Sequence, residues 1–497
     1  MANKKKQVLF VMCDTQNRNM LSCYGNPVCD TPNWESFARD AAVFENAFTC
    51  SPVCAPARSA IFTGLYPSSN GLMANGMQLG ANVKTVGQYL STHGIHCGYV
   101  GKWHLDGGDY FGAGRCPDGY DPDYWYDMRR YLDELPDARA RQKSRRNMAA
   151  EFFGGGTPAE DTFAHRCTGR AVDFIRNHRD RDFFLVISYD EPHDPSRCPA
   201  QYRRLAAKPG YKLRKQPNTA AALDGKPDIQ ALWAKKYKKI PWRGVFYGYN
   251  RGMLACNRFV DGEFGRVMEA ARLLPDEPLV IYTADHGDMV KAHGLLGKGA
   301  AMYHETNNIP LLIRGGPFRN RRVSTPVSHV DLLPTVLQYF GVKIPPHLEG
   351  ESLFALPGDH GRRDVFAEFF RYEVEQDGFL GFQPIRNIFD GRYKLNINLN
   401  SGDELYDLEK DPHELRNLIT APGYAAVRDG LHDRLLARMN RTRDPLRGYV
   451  WACRPWRKDK TASFDGDGFE RQIDDGENVR LTYSTGNPVT EMVRKKE

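Results

Sequence analysis

The chain has 497 residues, of which 41% are hydrophobic and 26% charged, and its formal net charge is +7. A chain of this size buries one large core and a smaller one, and so modest a positive charge does not indicate a nucleic-acid partner. Eleven cysteines without a CxxC pair do not indicate a disulfide framework, and no apolar run is long enough to cross a bilayer. The charge is compatible with an anionic substrate.

The amino terminus is basic and then apolar. Lys4, Lys5 and Lys6 precede an apolar run over residues 8–12, and Asp14 ends it. This run is too short for the apolar core of a secretory signal. We therefore expect a cytoplasmic protein, or a periplasmic or secreted one if a leader has been removed.

Short apolar runs without alternation predict strands that are buried on both faces, as in a parallel sheet. They lie at residues 8–12, 96–100, 183–188, 279–283 and 310–313. Helical patterns separate or follow these runs, at residues 32–42, 85–93, 162–178, 250–274 and 331–340. Strands that alternate with helices predict an α/β domain with a doubly wound, mostly parallel sheet flanked by helices.

Two long segments, 106–160 and 194–244, lack a regular pattern and are typical of lids or binding loops. The pattern changes near residue 364. Residues 391–397 alternate like a half-buried antiparallel strand, residues 404–408 form another short run, and residues 424–439 predict an amphipathic helix.

We therefore predict a catalytic α/β domain over 1–363 and a smaller carboxyl-terminal α+β subdomain over 364–453. A polar extension over 454–497 follows, which wraps either the body of the protein or a neighbouring subunit of a homo-oligomer.

Polar residues follow four of the predicted strands. In chain order these residues are Asp14, then Lys102 and His104, then His193, then Asp285 and His286. Ligands bind outside the carboxyl ends of the strands in open α/β sheets, so we expect these side chains to meet in one crevice. Carboxylates with a histidine suit Ca²⁺, Mg²⁺ or Mn²⁺, although an aspartate after a strand also serves as a helix cap or turn former.

A second chemical signal lies at Cys54. Pro56 fits a first helical turn, Gly64 can end the helix, and Arg58 lies one turn after the cysteine. A helix amino terminus favours an anion and lowers the pKa of a thiol. The alternative interpretation is a small buried cysteine with a packing role only.

These stretches together resemble the sulfatase family of the alkaline phosphatase superfamily. Cys54-x-Pro56-x-Arg58 with Thr63-Gly64 resembles the nucleophile motif of the family. The other matching stretches are Asp14 with Cys23-Tyr24-Gly25-Asn26, Gly101-Lys102-Trp103-His104, Pro192-His193, Asp285-His286-Gly287-Asp288, Gly297-Lys298-Gly299 and Glu404-Leu405-Tyr406-Asp407-Leu408. The chain departs from the common family pattern at Thr15 and His286, which leaves the number of metal ligands open. It also departs at Leu65, which affects one auxiliary feature of the maturation signal and not its Cys-x-Pro-x-Arg core.

The resemblance implies an alkaline-phosphatase-like fold and a formylglycine, made from Cys54 by a formylglycine-generating maturation enzyme. It also implies a divalent ion, Ca²⁺ first and Mg²⁺ or Mn²⁺ as alternatives. Asp14, Asp285, His286 and the oxygen at position 54 would hold this ion.

The resemblance further implies roles for the remaining residues. Arg58 would help to polarise the attacking hydroxyl, and Lys102 and Lys298 would neutralise the sulfuryl oxygens. His193 or Lys298 would protonate the departing alcohol, and His104 would take the proton that releases sulfate.

The sequence therefore predicts a sulfuric ester hydrolase, with a sulfated carbohydrate as the preferred substrate and an aryl sulfate as a second one. A phosphonate monoester or phosphodiester hydrolase of the same superfamily stays open. A non-catalytic anion-binding protein is the remaining alternative.

Overall fold

A mixed sheet of seven described strands forms the centre of the fold. The strands are β1 (Gln7–Asp14), β2 (Ala42–Phe44), β4 (His96–Gly101), β5 (Phe183–Pro192), β6 (Leu279–Ala284), β7 (Leu311–Arg314) and β8 (Arg321–Val323). Their order is β4-β5-β1-β6-β7-β2-β8. Strands β4, β5, β1 and β6 are parallel, whereas β7 is antiparallel to both of its neighbours. The predicted α/β class and mostly parallel sheet are confirmed.

The structure is a computed structural model. The residues it describes are 4–26, 28–108, 110–135, 157–206, 208, 211, 216–237, 249–356, 358–361, 363–374, 381–457 and 459–460. Parts of both predicted irregular segments, at 136–156 and 238–248, lie outside these residues, as does most of the predicted extension, at 461–497.

All five predicted strands are present, but the direction of the fifth differs from the prediction. β7 pairs antiparallel with β6, with Thr283 opposite Leu311 and Val280 opposite Arg314. It therefore starts at the carboxyl edge of β6, and both ends of the connection over residues 285–310 lie at that edge. The strands β2 and β8 have only three residues each and were not predicted.

Helices pack on both faces of the sheet. The described α-helices in this part of the chain are α1 (Pro32–Asp40), α2 (Cys54–Thr63), α3 (Pro67–Asn70), α4 (Val86–Ser91), α5 (Met128–Glu134), α6 (Phe163–His178), α7 (Ala200–Ala206), α8 (Asp228–Tyr237), α9 (Asn250–Ala271), α10 (His304–Asn307) and α11 (Leu332–Phe340). Leu9 and Val11 of β1 face one buried cluster with α1, α6 and α9. Val8 and Phe10 face the other cluster, with α2, α4 and α11.

A second, antiparallel sheet follows in the chain. Its strands are β10 (Val365–Phe369), β11 (Ile385–Phe389), β12 (Tyr393–Asn398) and β13 (Glu404–Asp407), in that order. The helix α12 (Ala425–Arg441) comes after them, as predicted, and α13 (Tyr449–Ala452) ends the described helices. Ala367 and Ile385 of this sheet pack against Val53, the residue before Cys54, so the second sheet supports the start of α2.

A small two-stranded ladder of β3 (Ala47–Phe48) and β9 (Val327–Ser328) completes the described strands. The chain divides into two compact units, Met1–Leu435 and Leu436–Glu497. The domain boundaries predicted at 363 and 453 stay predictions. Among the described residues, none of the helices is both long and apolar enough to span a membrane.

Candidate active site

The parallel strands β1, β4, β5 and β6 place their carboxyl ends at one edge of the sheet, and the predicted site residues gather there. Direct contacts link Asp14, Cys54, Arg58, Lys102, Asp285, His286 and Lys298 into one buried group. His104 joins this group through a hydrogen bond to Cys54, and the half-buried His193 joins it through Tyr110 and Asp190, which contacts Lys102. The residues come from stretches that span nearly three hundred positions, as the carboxyl-edge rule for α/β sheets predicts.

Cys54 is the first residue of α2 and is buried. Its Sγ lies 2.9 Å from Lys298 Nζ and 3.2 Å from His286 Nε2. Burial and the Asp14 carboxylate disfavour a thiolate, but Lys298, Lys102 and His286 outweigh them and hold the pKa of Cys54 well below its usual value. A lowered pKa was predicted from the helix terminus alone, whereas the structure adds neighbouring cations as its cause.

The first turn of α2 offers few free donors to an anion. The Ala55 N–H donates to Asn75 Oδ1 at 2.9 Å, and Pro56 has no N–H. The Ala55 N–H is therefore not free to bind an anion beside the thiol. Gly64 ends the helix at φ 67°, in the left-handed region, as predicted.

Arg58 bridges the carboxylates of Asp14 and Asp285. Its Nε donates to Asp285 Oδ2 at 2.9 Å and its Nη2 donates to Asp14 Oδ2 at 3.3 Å. Its Nη1 donates to the Lys102 carbonyl at 2.6 Å and to Ser188 Oγ at 2.8 Å. Four of the five guanidinium N–H groups are thus used within the protein. This geometry suits a positioning residue that fixes both aspartates, more than a residue that grips the substrate.

Four buried residues could hold a metal ion, namely Asp14, Cys54, Asp285 and His286. One ligand atom from each lies within 4.8 Å of the other three. The His286 Nδ1–H donates to the Gly287 carbonyl at 2.9 Å, which leaves the Nε2 lone pair facing the cluster. Burial and the nearby Asp14 raise the pKa of Asp285, as expected of two neighbouring buried carboxylates.

Thr15 orients both of these carboxylates. Its hydroxyl donates to Asp14 Oδ1 at 2.6 Å, and its N–H donates to Asp285 Oδ1 at 3.1 Å. The residue has φ 60°, which is rare for a β-branched side chain and is held here by these bonds. Thr15 stands where the family pattern has a further ligand, and in this chain it acts on the ligands instead.

Lys102 bridges Asp14 to Asp190 and Tyr110. Its Nζ lies 2.6 Å from Asp14 Oδ2, 3.0 Å from Asp190 Oδ1, and 3.9 Å from the ring centre of Tyr110. Burial opposes the charged amine, but Asp14 and Asp190 outweigh it and raise the pKa of Lys102. Lys102 is therefore a fixed positive charge.

Gly101 makes this placement of Lys102 possible. Its φ is 124°, and a Cβ at this position would lie 1.9 Å from the Ser188 carbonyl oxygen. The close approach of β4 to β5 at their ends, with the Lys102 N–H donating to the same oxygen at 2.8 Å, requires glycine.

Lys298 brings a second cation to the nucleophile position. Besides its contact with Cys54, its Nζ donates to Thr15 Oγ1 at 3.2 Å. Burial opposes its charge, but the Cys54 thiolate, Tyr372 and Asp14 outweigh it and raise the pKa of Lys298 well above its usual value. The connection between β6 and the reversed strand β7 carries this residue back to the carboxyl edge.

The two predicted acid–base histidines differ in their protonation. Burial and Lys298 disfavour the charge on His193, but Asp194 and Asp14 outweigh them and raise the pKa of His193 to about 9. Burial lowers the pKa of His104, whose ring is hydrogen-bonded to Cys54. At neutral pH His193 is therefore charged and His104 neutral, which are the states that a proton donor and a proton acceptor need.

Sequence reasoning missed three contributors to the site, namely Tyr110, Ser188 and Asp190. The Tyr110 hydroxyl donates to Asp190 and lies 3.3 Å from His193 Nδ1, while Ser188 binds Arg58. Asp190 lies in the same polar cluster as His193 at the carboxyl end of β5, so its position could have identified it as a site residue. Tyr110 comes from an irregular segment, where no periodicity marks it.

Comparisons with known proteins agree with this geometry. Residues 6–342 match the family model described as Sulfatase, and residues 292–441 match the model described as N-sulphoglucosamine sulphohydrolase, C-terminal. YidJ of Escherichia coli (strain K12), described as an uncharacterized sulfatase, is 42% identical over 99% of both chains.

More distant relatives share the fold. An N-acetylglucosamine-6-O-sulfatase of Bacteroides thetaiotaomicron is 24% identical, over 85% of this chain and 84% of its own. The crystal structure of a phosphonate monoester hydrolase of Agrobacterium radiobacter superposes with a TM-score of 0.72 at 22% identity, and covers 88% of this chain and 96% of its own.

Proposed function

Because this chain belongs to the sulfatase family, and is thus a sulfuric ester hydrolase, we propose that it releases sulfate from a carbohydrate ester with a formylglycine made from Cys54. The observation that carries the proposal is the setting of Cys54. It lies close to Asp14, Asp285 and His286, which could hold a metal ion, and its Sγ lies 2.9 Å from Lys298 Nζ; all of these residues are buried.

The donor set fits both implied groups. Two carboxylates and one imidazole suit a hard divalent ion, and Ca²⁺ is the first expectation, with Mg²⁺ or Mn²⁺ as alternatives. When bound, the ion would supply a Lewis acid beside residue 54, and the formylglycine would supply the nucleophilic hydroxyl. Asp14, Asp285 and His286 would hold the ion together with the oxygen at position 54.

The residues of the chain supply the rest of the chemistry. Lys102 and Lys298 place two fixed positive charges where a sulfuryl group would meet residue 54, and such charges stabilise the transition state. His193 holds the proton that the departing alcohol oxygen needs, and neutral His104 can accept one from residue 54. Arg58 keeps Asp14 and Asp285 in position.

The carbohydrate substrate is supported by the relatives, one of which is described as an N-acetylglucosamine-6-O-sulfatase. A formylglycine-generating enzyme is the maturation partner that this proposal requires. A phosphonate monoester hydrolase is the second candidate, because an enzyme of that name shares the fold, although likeness at 22% identity speaks for the fold alone.

The test begins with the modification. After co-expression with a formylglycine-generating enzyme, the tryptic peptide with Cys54 should lose the mass that corresponds to exchanging the thiol for an aldehyde. The same sample should hydrolyse N-acetylglucosamine 6-sulfate and 4-nitrophenyl sulfate, and Cys54→Ala should hydrolyse neither.

A matched phosphonate monoester provides the decisive comparison. Faster cleavage of 4-nitrophenyl phenylphosphonate than of 4-nitrophenyl sulfate by the same sample would favour the second candidate. An unmodified peptide together with full activity would remove formylglycine from the proposal.

A further inference from the structure

A cavity of about 270 Å³ adjoins the active site on the side of His193. Tyr110, Asp190 and His193 line it and also belong to the active site, so the two spaces share a wall. The rest of the lining comes from α5, the start of α6, the end of β5 and neighbouring loops. It is mostly apolar, and its charged members are Glu191, Asp194 and Arg197. The cavity is therefore placed where the alcohol part of an ester would extend from residue 54.

Aromatic rings form much of the cavity wall. Tyr110, Phe111, Tyr131 and Phe163 line it together with Leu132. The rings of Tyr131 and Phe163 pack edge to face at 5.2 Å, which gives the wall a fixed shape. Flat apolar walls of this kind accept a ring better than they accept a flexible or charged group.

Glu191 lines this cavity, and one of its two carboxyl oxygens has no hydrogen-bond partner. It is only 4% exposed, and its Oε1 accepts a hydrogen bond from the Ala164 N–H at 3.0 Å. Its Oε2 is buried and has no hydrogen-bond partner. A buried polar atom without a partner costs about 1–3 kcal/mol, so its presence beside a cavity calls for a ligand atom.

The protonation state of Glu191 determines whether it binds a hydrogen-bond donor or an acceptor on the ligand. Burial and the neighbouring Asp190 raise the pKa of Glu191 to about 8, so the side chain is a neutral acid at pH 7. Because Oε1 already accepts the Ala164 N–H, the proton belongs on Oε2, where it can be donated. The complementary ligand atom is a hydrogen-bond acceptor, such as a hydroxyl, ether or nitro oxygen.

We propose that this cavity is the leaving-group subsite of the enzyme, in which a single six-membered ring of the alcohol packs against the aromatic wall and an oxygen on that ring binds Glu191. The subsite rests on the proposed function, because it is the alcohol of the sulfate ester that it holds. A volume of about 270 Å³ admits one such ring with its substituents. The ring is either a pyranose or an arene, which offer the same shape and acceptor.

Binding of uncharged rings tests the subsite without depending on turnover. Calorimetry on the full-length, matured protein would measure Kd for methyl N-acetylglucosaminide, the pyranose probe, and for 4-nitroanisole, the arene probe. We expect one of them to bind, and the one that binds identifies the ring. If neither binds at millimolar concentration, the proposal is wrong.

Two kinds of variant distinguish the contribution of the cavity's volume to ring binding from the contribution of Glu191. Leu132→Trp fills the cavity and should weaken binding of the ring at least roughly tenfold, whereas Leu273→Trp, at a residue that is 56% exposed, is the matched control. Glu191→Gln keeps a donor and should bind within roughly twofold of the wild type. Glu191→Leu removes the hydrogen bond and should lose roughly tenfold.

Inorganic phosphate reports on the catalytic centre alone. Its inhibition constant against 4-nitrophenyl sulfate should stay within roughly twofold in all four variants, because the anion lies at residue 54 and not in the cavity. Equal ring binding in the wild type and in Leu132→Trp would overturn the subsite. Ring binding that follows these expectations in a protein that cleaves no sulfate ester would overturn the proposed function and leave the subsite standing.

Discussion

Lys298 Nζ lies 2.9 Å from Cys54 Sγ, although the two residues are 244 positions apart in the chain. The amine is buried and keeps its charge because the surrounding anions favour it. A desolvated charge at this distance interacts far more strongly than the same charge in water. The pair therefore defines where the positive charge of the active site is concentrated.

Removal of this amine should slow the reaction without unfolding the protein. Lys298→Ala should lower kcat/KM for 4-nitrophenyl sulfate roughly 100- to 1,000-fold, the loss typical of one donor that stabilises a transition-state oxyanion. The exposed Lys343 provides the matched control, and Lys343→Ala should retain normal kinetics. A Lys298→Ala enzyme with normal kcat/KM would remove Lys298 from the chemistry.

The hydroxyl of Thr15 should strengthen metal binding through Asp14. Thr15→Val keeps the branched shape but removes the 2.6 Å hydrogen bond to Asp14 Oδ1, and outer partners of this kind contribute roughly 10- to 100-fold in metal affinity. We expect the Ca²⁺ concentration that restores turnover after chelation to rise by that factor. Thr92→Val, at an exposed threonine, should leave it unchanged.

Chelation itself gives the baseline for this titration. A matured wild type that keeps full activity after long incubation with chelator, and contains no metal by elemental analysis, would contradict the metal centre altogether.

We expect the raised pKa of His193 to set the alkaline limit of activity. Its charged form is favoured in the folded protein, so the proton needed by the leaving group is present below pH 9 and is lost as the pH rises through about 9. We expect kcat to fall along that limb for a substrate with a poor leaving group, such as a sugar sulfate. His193→Gln should lower kcat and abolish this limb.

The same pKa predicts a contribution to stability. Because the folded pKa lies above the ordinary value of 6.5, the contribution is complete below pH 6.5 and disappears as the pH rises through about 9. Urea unfolding of the wild type and of His193→Gln at pH 6, 8 and 10 should therefore converge at the highest pH. A difference that grows with pH would contradict the assignment.

Gly101 should be intolerant of a side chain for two separate reasons. Gly101→Ala places a methyl group against the Ser188 carbonyl and also holds alanine at a positive φ. Gly94→Ala is the matched control, since Gly94 has φ 76° and nothing lies within 4 Å of its added Cβ. The control should cost about 1–2 kcal/mol in the free energy of unfolding, from the backbone strain alone.

We expect Gly101→Ala to cost clearly more than this control and to lower activity by displacing Lys102. Urea unfolding and kcat/KM of the two variants provide the comparison. Equal losses of stability would show that the contact with β5 relaxes freely.

Much of the centre could be predicted because it follows from local patterns. Runs such as 183–188 lack alternation since both of their faces are buried, and this pattern identifies central strands. The carboxyl-edge rule then brings Asp14, Lys102 and Asp285 together without any knowledge of their contacts. Short strands such as β2 give no comparable signal, because three residues cannot show a period.

The parts that could not be predicted depend on contacts between distant segments. The direction of β7 is decided by the path of the preceding connection, and its apolar residues would look the same in a parallel strand. Tyr110 acquires its role only by reaching Asp190, and the bond between Asn75 and the Ala55 N–H changes the environment of Cys54 without leaving a motif.

The reversed strand β7 has a consequence for how enzymes of this architecture can diversify. Both ends of the connection over residues 285–310 lie at the carboxyl edge, so residues inserted into it are added on the side of the sheet where Cys54 lies. If β7 were parallel to β6, the connection would end at the opposite edge of the sheet, and inserted residues could lie far from the active site. Because Asp285, His286 and Lys298 lie in this same connection, a change in its length alters the surroundings of Cys54 directly.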